Sequence, residues 1–428
     1  MLKKYVMNLL LVNFLLYFFW FAYSYIKEKR ISIYSTMILF YTIIAFLGIY
    51  IYKTGLYTKE FGNFSLSRIT IFPIILGFVS YFFLLYPLKK IKFDKNGFNK
   101  LKFNKRSSRF ILLWIIYFSL YFILKLGELI ISISTGLDSA YEHRHDGAST
   151  PLFNYNNPVL EKFSFLGDLF LNTTTPFVVG YAIIGIYQKK IKINYGLFLI
   201  LLCFFPSLAN SIAIGSRGAM FLIVFNFIFF ISIFKPFITK QLSKRIKIFG
   251  ISFLSLVATY SWVITSLRFS NAKGNKGFDS ILRYFGESFP NFFLQIWDQV
   301  KYHPFGERLF PVIAPIKKTY SHLTLDETTL FWQNKVDVPI YLFKTYYGDL
   351  YIEYGVIYGL LFAFLYFLLI FLYLKKVKLS LKNLLIPYLY FQVCVYGFSG
   401  LVVSGTSLYW SISVVFTTYL ILKYIMKD

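Results

Sequence analysis

The chain is poor in the residues that build disulfides, zinc sites and acidic metal sites. Its 428 residues include 2 cysteines, and 19 acidic residues stand against 45 lysines and arginines. Both cysteines, Cys203 and Cys394, lie inside apolar runs, which argues against a disulfide framework or a zinc site. The Asp-x-Asp pair with which many enzymes hold a metal ion occurs nowhere in the sequence. We therefore expect no metal and no other cofactor.

Apolar residues dominate the rest of the chain. They make up 57% of it, 22% of all residues are aromatic, and the mean hydropathy is +0.59. Such runs indicate membrane-spanning helices, because each helix needs about 20 mostly apolar residues to cross the hydrocarbon core. The first run is too long for the core of a signal peptide and is predicted to be an uncleaved span. The predicted fold class is all-α, as one polytopic membrane domain over residues 1–428.

Hydropathy over windows of about 19 residues predicts about 11 transmembrane helices, with 10 to 12 as the range. The predicted spans are 5–26, 31–52, 69–88, 110–133, 165–187, 195–214, 218–234, 248–266, 347–374, 383–404 and 407–422.

Basic residues predict the orientation of these spans, because lysine and arginine favour cytoplasmic loops. Of the 45, 26 fall in short segments on one side of the predicted membrane. The N-terminus is therefore predicted outside and the C-terminus inside. Two large outer loops result, 134–164 and 267–346, and the second is expected to contain interfacial helices within 278–303.

The formal charge of +26 does not indicate nucleic acid, because the basic residues lie mainly in short loops where lipid headgroups and topology explain them. Arginines, however, favour the outer side, and arginine grips phosphate with a planar fork that lysine lacks. This bias suggests an outward-facing anionic ligand. The outer arginines are Arg68, Arg144, Arg217, Arg268, Arg283 and Arg308.

Three segments carry a resemblance to a known family. They are Gly215-Ser216-Arg217-Gly218-Ala219 between two central spans, 283–291 (RYFGESFPN) in the main outer loop, and 346–355 (YYGDLYIEYG) at the start of the following span. With these motifs and a large outer loop before the last spans, the chain resembles the Wzy-type polymerases of O-antigen and capsule repeat units, which are related to the O-antigen ligases.

The resemblance implies a membrane glycosyltransferase whose substrate is an oligosaccharide linked to undecaprenyl diphosphate. The growing chain would leave its carrier and join the next lipid-linked repeat unit, at the outer face of the bacterial cytoplasmic membrane. Membrane lipids surround such an enzyme, and a chain-length regulator and a flippase of the same pathway are its expected partners. Without a metal pair, arginines are expected to neutralise the diphosphate leaving group.

Arg217 is the first candidate for that role, since Gly215 and Gly218 permit close approach of ligand and backbone. The alternative is a cation at a tight turn that reaches the interface. Arg283 and Arg268 are second-rank candidates, with Arg308 and Arg144 ranked below them as exposed loop residues.

The general base is expected among outer histidines and carboxylates. His322 lies near Asp326 and Glu327, and the ligase relatives use a histidine in their large outer loop. His303 is a second candidate. Asp349 and Glu353 share a helix face at the mouth of a span and are expected to act on the acceptor sugar, unless they serve only the helix dipole.

Glu287, in the second motif segment, and Tyr347 complete the predicted substrate-binding set; for Tyr347 the alternative is interfacial anchoring. The cluster 142–146 (EHRHD) could imitate a metal site, but its central arginine repels a cation. Two other functions stay open: a ligase that transfers glycan once, and a flippase or other transporter. The transporter is disfavoured because the spans are nearly bare of charge apart from Lys125 and Glu128.

Overall fold

The computed structural model describes the chain apart from residues 1, 30, 62–69, 94–97, 99–102, 136–156, 214–216, 269–275, 310–324, 341–342, 401–406 and 426–428. It is all-α, with about 86% of the described residues helical, which confirms the predicted fold class. In chain order the helices are α1 (Leu2–Glu28), α2 (Ile33–Lys53), α3 (Leu56–Phe61), α4 (Phe72–Leu85), α5 (Lys105–Thr135), α6 (Pro158–Tyr187), α7 (Ile193–Ala213), α8 (Arg217–Phe234), α9 (Lys240–Arg268), α10 (Lys276–Gly286), α11 (Ser288–Asn291), α12 (Leu325–Val336), α13 (Thr345–Lys376), α14 (Leu385–Tyr396) and α15 (Ser407–Ile425).

Within the described residues, nine helices are long and apolar enough to cross a membrane, and they coincide with the first nine predicted spans. The last two predicted spans overlap shorter apolar helices, Leu385–Tyr396 and Ile412–Ile425. The protein is thus built as a multi-pass membrane protein, while the count of 11 and the extent of the outer loops stay predictions.

The chain divides into two compact units. The first comprises Met1–Ile91, Asn271–Lys376 and Val393–Leu408. In it α1 packs on α2, and α10 also packs on α2. Gly286 permits the close contact between α10 and α2, because a Cβ at this position would lie 2.8 Å from the backbone carbonyl carbon of Leu47. Buried tyrosines fill the core between α1, α2 and α4: Tyr17, Tyr41 and Tyr81.

The second unit comprises Lys92–Ser270, Val377–Gln392 and Tyr409–Asp428. Here α7 packs on both α5 and α6. Helix α6 begins where Asn157 caps the amide of Val159 at 2.9 Å and proline occupies the first helical position, as expected for a helix start. A two-residue parallel pair joins β1 (Lys92–Phe93) to β2 (Lys378–Leu379) in the same unit.

A break in α13 shapes the first unit. Gly355 has φ 72 and ψ −168, a conformation that residues with a side chain rarely adopt. The break leaves preceding carbonyls without their usual helical donors. Two groups from the segment 301–309 replace them: His303 Nδ1 lies 2.9 Å from Ile352 O, and the amide of Phe305 donates to Glu353 O at 2.9 Å. The break therefore fixes this segment against the first turns of α13.

Replacing Gly355 with alanine should destabilise the protein by about 1–3 kcal/mol, because the backbone conformation is strained for alanine and the new Cβ would lie 3.2 Å from His303 Nε2. Thermal unfolding in detergent measures the loss. Gly127→Ala in α5 is the matched control, since a Cβ there has no heavy atom within 4 Å. Equal melting temperatures for the two variants would contradict the strain argument.

Candidate active site

Two buried carboxylates lie on the first turns of α13. Asp349 is 4% exposed and Glu353 is fully buried. Because they are four residues apart, they share one face of the helix. Buried carboxylates require charged or hydrogen-bonding partners. Those partners come from the segment 301–309 and from Lys344, all within the first unit.

Arg308 bridges the two carboxylates. Its Nε donates to Glu353 Oε2 at 3.0 Å and its Nη2 donates to Asp349 Oδ1 at 2.9 Å. The Arg308 side chain is only 10% exposed, so water competes weakly for these charge-assisted bonds. In the described part of the chain no acceptor is bonded to Nη1. That edge of the guanidinium therefore has two N–H donors that no described residue uses.

Glu353 is held by backbone donors as well. Its Oε1 accepts from the amide of Gly306 at 2.8 Å and from the amide of Arg308 at 3.1 Å. Gly306 has φ 101, a left-handed conformation that suits glycine and turns the chain so that both amides face one oxygen. With three donors on its two oxygens, Glu353 acts as the anchor of the segment that positions Arg308.

Lys344 adds a second cation beside Asp349. Its Nζ lies 3.6 Å from Asp349 Oδ1 and donates to Ile340 O. Burial lowers the pKa of Lys344, the negative charge of Asp349 opposes this shift, and the nearby charge of Arg308 adds to it. Lys344 therefore releases its proton at a lower pH than an exposed lysine does.

The turn after α14 closes the other side of Asp349. Gly400 has φ 148, and a Cβ at this position would overlap Asp349 Oδ2. The amide of Lys344 also donates to Ser399 O at 3.4 Å. Because glycine has no side chain, the backbone at Gly400 can approach the Asp349 carboxylate directly.

His303 lies beside the break in α13. The carbonyl of Ile352 can only accept a hydrogen bond, so Nδ1 of His303 carries the hydrogen and Nε2 is the basic nitrogen. Nε2 faces Gly355. His303 is half-buried and belongs to the same segment as Arg308.

Arg283 and Glu287 form a separate pair in the first unit. Arg283 Nη2 lies 3.6 Å from Glu287 Oε2 across one helical turn, and the two side chains are 26% and 11% exposed. Nearby in sequence, Asn291 accepts from Tyr57 Oη at 2.8 Å and donates to Phe343 O at 3.0 Å. The second motif segment is therefore anchored by its own polar contacts.

Tyr347 is fully buried. Its hydroxyl donates to Val356 O at 3.1 Å, across the break in α13. The ring meets Phe292 edge-on, with centroids 5.7 Å apart. These contacts give Tyr347 a structural role at the break and leave no face of the ring open for a sugar.

The other candidates lie at or beyond the limits of the described residues. Arg217 is the first residue of α8 and Arg268 the last residue of α9, and the side chains of both lie outside the described part, as does all of His322. The cluster 142–146 and Arg144 also lie outside it. Where the chain is described, it contains no group of three His, Cys, Asp or Glu that could hold a metal ion.

Comparison of the chain with protein-family models, curated proteins and solved structures gives no match in any of the three. The site is therefore defined by its own geometry alone.

Sequence reasoning selected Asp349, Glu353 and His303 but ranked Arg308 as an exposed loop residue and did not consider Lys344. The structure buries both cations at the carboxylates. One usable signal was the run Pro304-Phe305-Gly306, because proline and glycine mark a tight turn that can present consecutive amides to an acceptor.

Proposed function

We propose that this protein is a polymerase that joins oligosaccharide repeat units carried on undecaprenyl diphosphate. The observation that carries the proposal is the buried set of Arg308, Lys344, Asp349 and Glu353 at the start of a membrane-spanning helix. Transfer from a lipid diphosphate needs positive charge for the leaving group and a base for the attacking hydroxyl. This set offers both in one place.

In the proposed reaction, a hydroxyl oxygen of the acceptor sugar attacks the anomeric carbon of the donor glycan and forms the new glycosidic bond. The bond from that carbon to the carrier diphosphate breaks, and its electron pair leaves with the diphosphate. Asp349 accepts the hydroxyl proton. Arg308 Nη1 and Lys344 Nζ stabilise the charge that develops on the departing oxygen, while Glu353 holds Arg308 in position.

The proposed location is the bacterial cytoplasmic membrane, with the N-terminus outside, the C-terminus inside and the site on the outer face. Support comes from the excess of lysine and arginine in the segments predicted to be cytoplasmic. A flippase that delivers lipid-linked units and a chain-length regulator are the proposed partners.

Purified protein in liposomes, supplied with lipid-linked repeat units extracted from the native cells, should produce a ladder of longer glycans. Electrophoresis of the labelled glycan measures it. Failure to elongate authentic units would refute the proposal. A ligase would instead transfer one glycan to a different lipid or protein acceptor, and a flippase would move labelled units across the bilayer without chain growth.

We propose Arg217, the first sequence candidate, as a further ligand of the carrier diphosphate. Arg217→Lys is then expected to insert normally and to lose activity about tenfold or more, because charge-assisted hydrogen bonds contribute about 1.5–3 kcal/mol and lysine lacks the bidentate fork. The measurement is the rate of ladder formation at equal protein levels. Arg109→Lys, in the first turns of α5, is the control. Normal polymer length in Arg217→Lys would return Arg217 to the role of an interfacial cation.

A further inference from the structure

A second buried charge cluster lies in the second unit. Lys125 Nζ lies 3.1 Å from Glu128 Oε2 and 3.7 Å from Asp168 Oδ2, and it donates to Ser164 at 2.8 Å and to Asn210 at 3.0 Å. Lys125 and Glu128 are each 3% exposed. Lys125 and Glu128 lie on α5, and α6 adds Asp168 to them.

The charge balance of this cluster excludes an anion site. One ammonium faces two carboxylates and is already engaged by four side chains, so it has little attraction left for a phosphate. Asp168 Oδ1 in turn accepts from Tyr121 at 2.5 Å and from Asn210 at 3.4 Å. The cluster is therefore a fixed carboxylate support in which Asp168 remains 41% exposed.

That exposed edge of Asp168 opens into a cavity of about 210 Å³ within the second unit. A water molecule takes about 30 Å³ in the liquid, so the cavity has room for a single sugar ring. Among its polar lining residues are Asp168, Asn172, Asn210, Asn226 and Tyr388.

On helix α6, the exposed polar side chain of Asn172 faces this cavity. From residue 166 to residue 186, Asn172 is the one position of this spanning helix that is exposed. A helix that faced lipid there would expose an apolar residue. Asn172 instead lines the cavity, where it exchanges two hydrogen bonds with Gln392, at 2.7 and 3.2 Å, and accepts one from Tyr388 at 3.2 Å.

Asn226 supplies the second, independent sign of a ligand. It lies on α8, is 6% exposed and lines the same cavity. Its carbonyl oxygen has one long contact, 3.5 Å from Gln392 Nε2, and its amide nitrogen donates to no group in the described residues. Because Asn226 lines the cavity, its two N–H donors are available to a ligand oxygen placed there.

We infer that this cavity binds a neutral sugar residue of the lipid-linked glycan, through the amides of Asn172 and Asn226 and the carboxylate of Asp168. Carboxylates and amides pair with neighbouring hydroxyls, each of which donates and accepts. A site built to bond hydroxyls discriminates strongly against ligands that lack them. The inference rests on the proposed function for the identity of the glycan, but the binding it describes is measured without turnover.

The test compares binding of two lipids to the full-length protein in nanodiscs: lipid-linked oligosaccharide extracted from the native cells, and undecaprenyl diphosphate without sugar. Wild-type protein should prefer the sugar-bearing lipid. Asn226→Leu, which keeps the side-chain size, and Asp168→Asn should each reduce that preference about five- to tenfold and leave binding of bare carrier unchanged. Ser232→Ala, at an exposed position of the same helix, should behave as wild type.

Each other outcome has a defined meaning. A preference unchanged in both variants, or equal affinity of wild-type protein for the two lipids, overturns the sugar site and leaves the polymerase proposal standing. Binding of neither lipid overturns both. Stabilisation by Na⁺ that disappears in Asp168→Asn identifies a cation site and also overturns the inference.

Discussion

Arg308→Met should abolish glycan elongation and lower the free energy of unfolding by about 3–5 kcal/mol, the cost of leaving buried charges without their partner. Arg308 neutralises both Asp349 and Glu353 through separate nitrogens at 2.9 and 3.0 Å. Methionine fills a similar volume but leaves two carboxylates beside the single cation of Lys344. Ladder formation and thermal unfolding in detergent measure the two effects.

Arg308→Lys separates charge from geometry. Lysine restores a positive charge but carries its three donors on a single nitrogen, so it cannot place donors at the separate positions of Nε, Nη2 and Nη1. We expect part of the stability to return and activity to stay below a tenth of wild type, about 1.4 kcal/mol in the barrier. Lys301→Met is the control, because its pair with Asp337 is exposed on both sides and such pairs contribute little. Wild-type elongation in Arg308→Met would remove Arg308 from the mechanism.

The apolar helices could be predicted from the sequence because the ability to cross a membrane is a local property. Runs of about 20 apolar residues determine it without reference to the rest of the chain. The last two spans show the limit of this reasoning. Helix α14 ends at Tyr396, and the tight turn through Gly397 and Gly400 follows, although hydropathy continues through this region to residue 404.

The carboxylates of the site could be found from their spacing, whereas their partners could not. Asp349 and Glu353 lie on one helix, so a periodicity of four places them together. Arg308 precedes them by 41 and 45 positions, and only tertiary packing decides which of the loop arginines is buried there. The same holds for Gly355, one glycine among several in its segment, because its positive φ and the contacts of residues 301–309 at the break are visible only in the folded chain.

The polar cavity was missed for a related reason. Hydropathy averages over a window, so single asparagines on α6, α7 and α8 disappear among apolar neighbours. Only the folded structure shows that Asn172, Asn210 and Asn226 line the same cavity. Because these asparagines are uncharged, the near absence of charge in the spans is a weaker reason to disfavour a transporter.

Asp349→Asn and Glu353→Gln should separate catalysis from structure. Asparagine at 349 keeps an oxygen for Arg308 Nη2 but removes the negative charge beside Lys344, so the melting temperature should fall, though by less than in Arg308→Met. It cannot accept a proton, and loss of a general base costs about 10²–10⁴ in rate. Single-turnover elongation with extracted lipid-linked units measures this loss.

Glutamine at 353 should act differently, because Glu353 uses both oxygens as acceptors: one for the amides of Gly306 and Arg308, the other for Arg308 Nε. A glutamine amide must turn its NH₂ group toward one set of donors. The donors left without an acceptor should lower the free energy of unfolding by about 1–3 kcal/mol. Activity should also fall, because Arg308 is no longer held in position. If Asp349→Asn elongates normally while Glu353→Gln is both stable and inactive, the proton acceptor is Glu353, and the roles assigned to the two carboxylates are reversed.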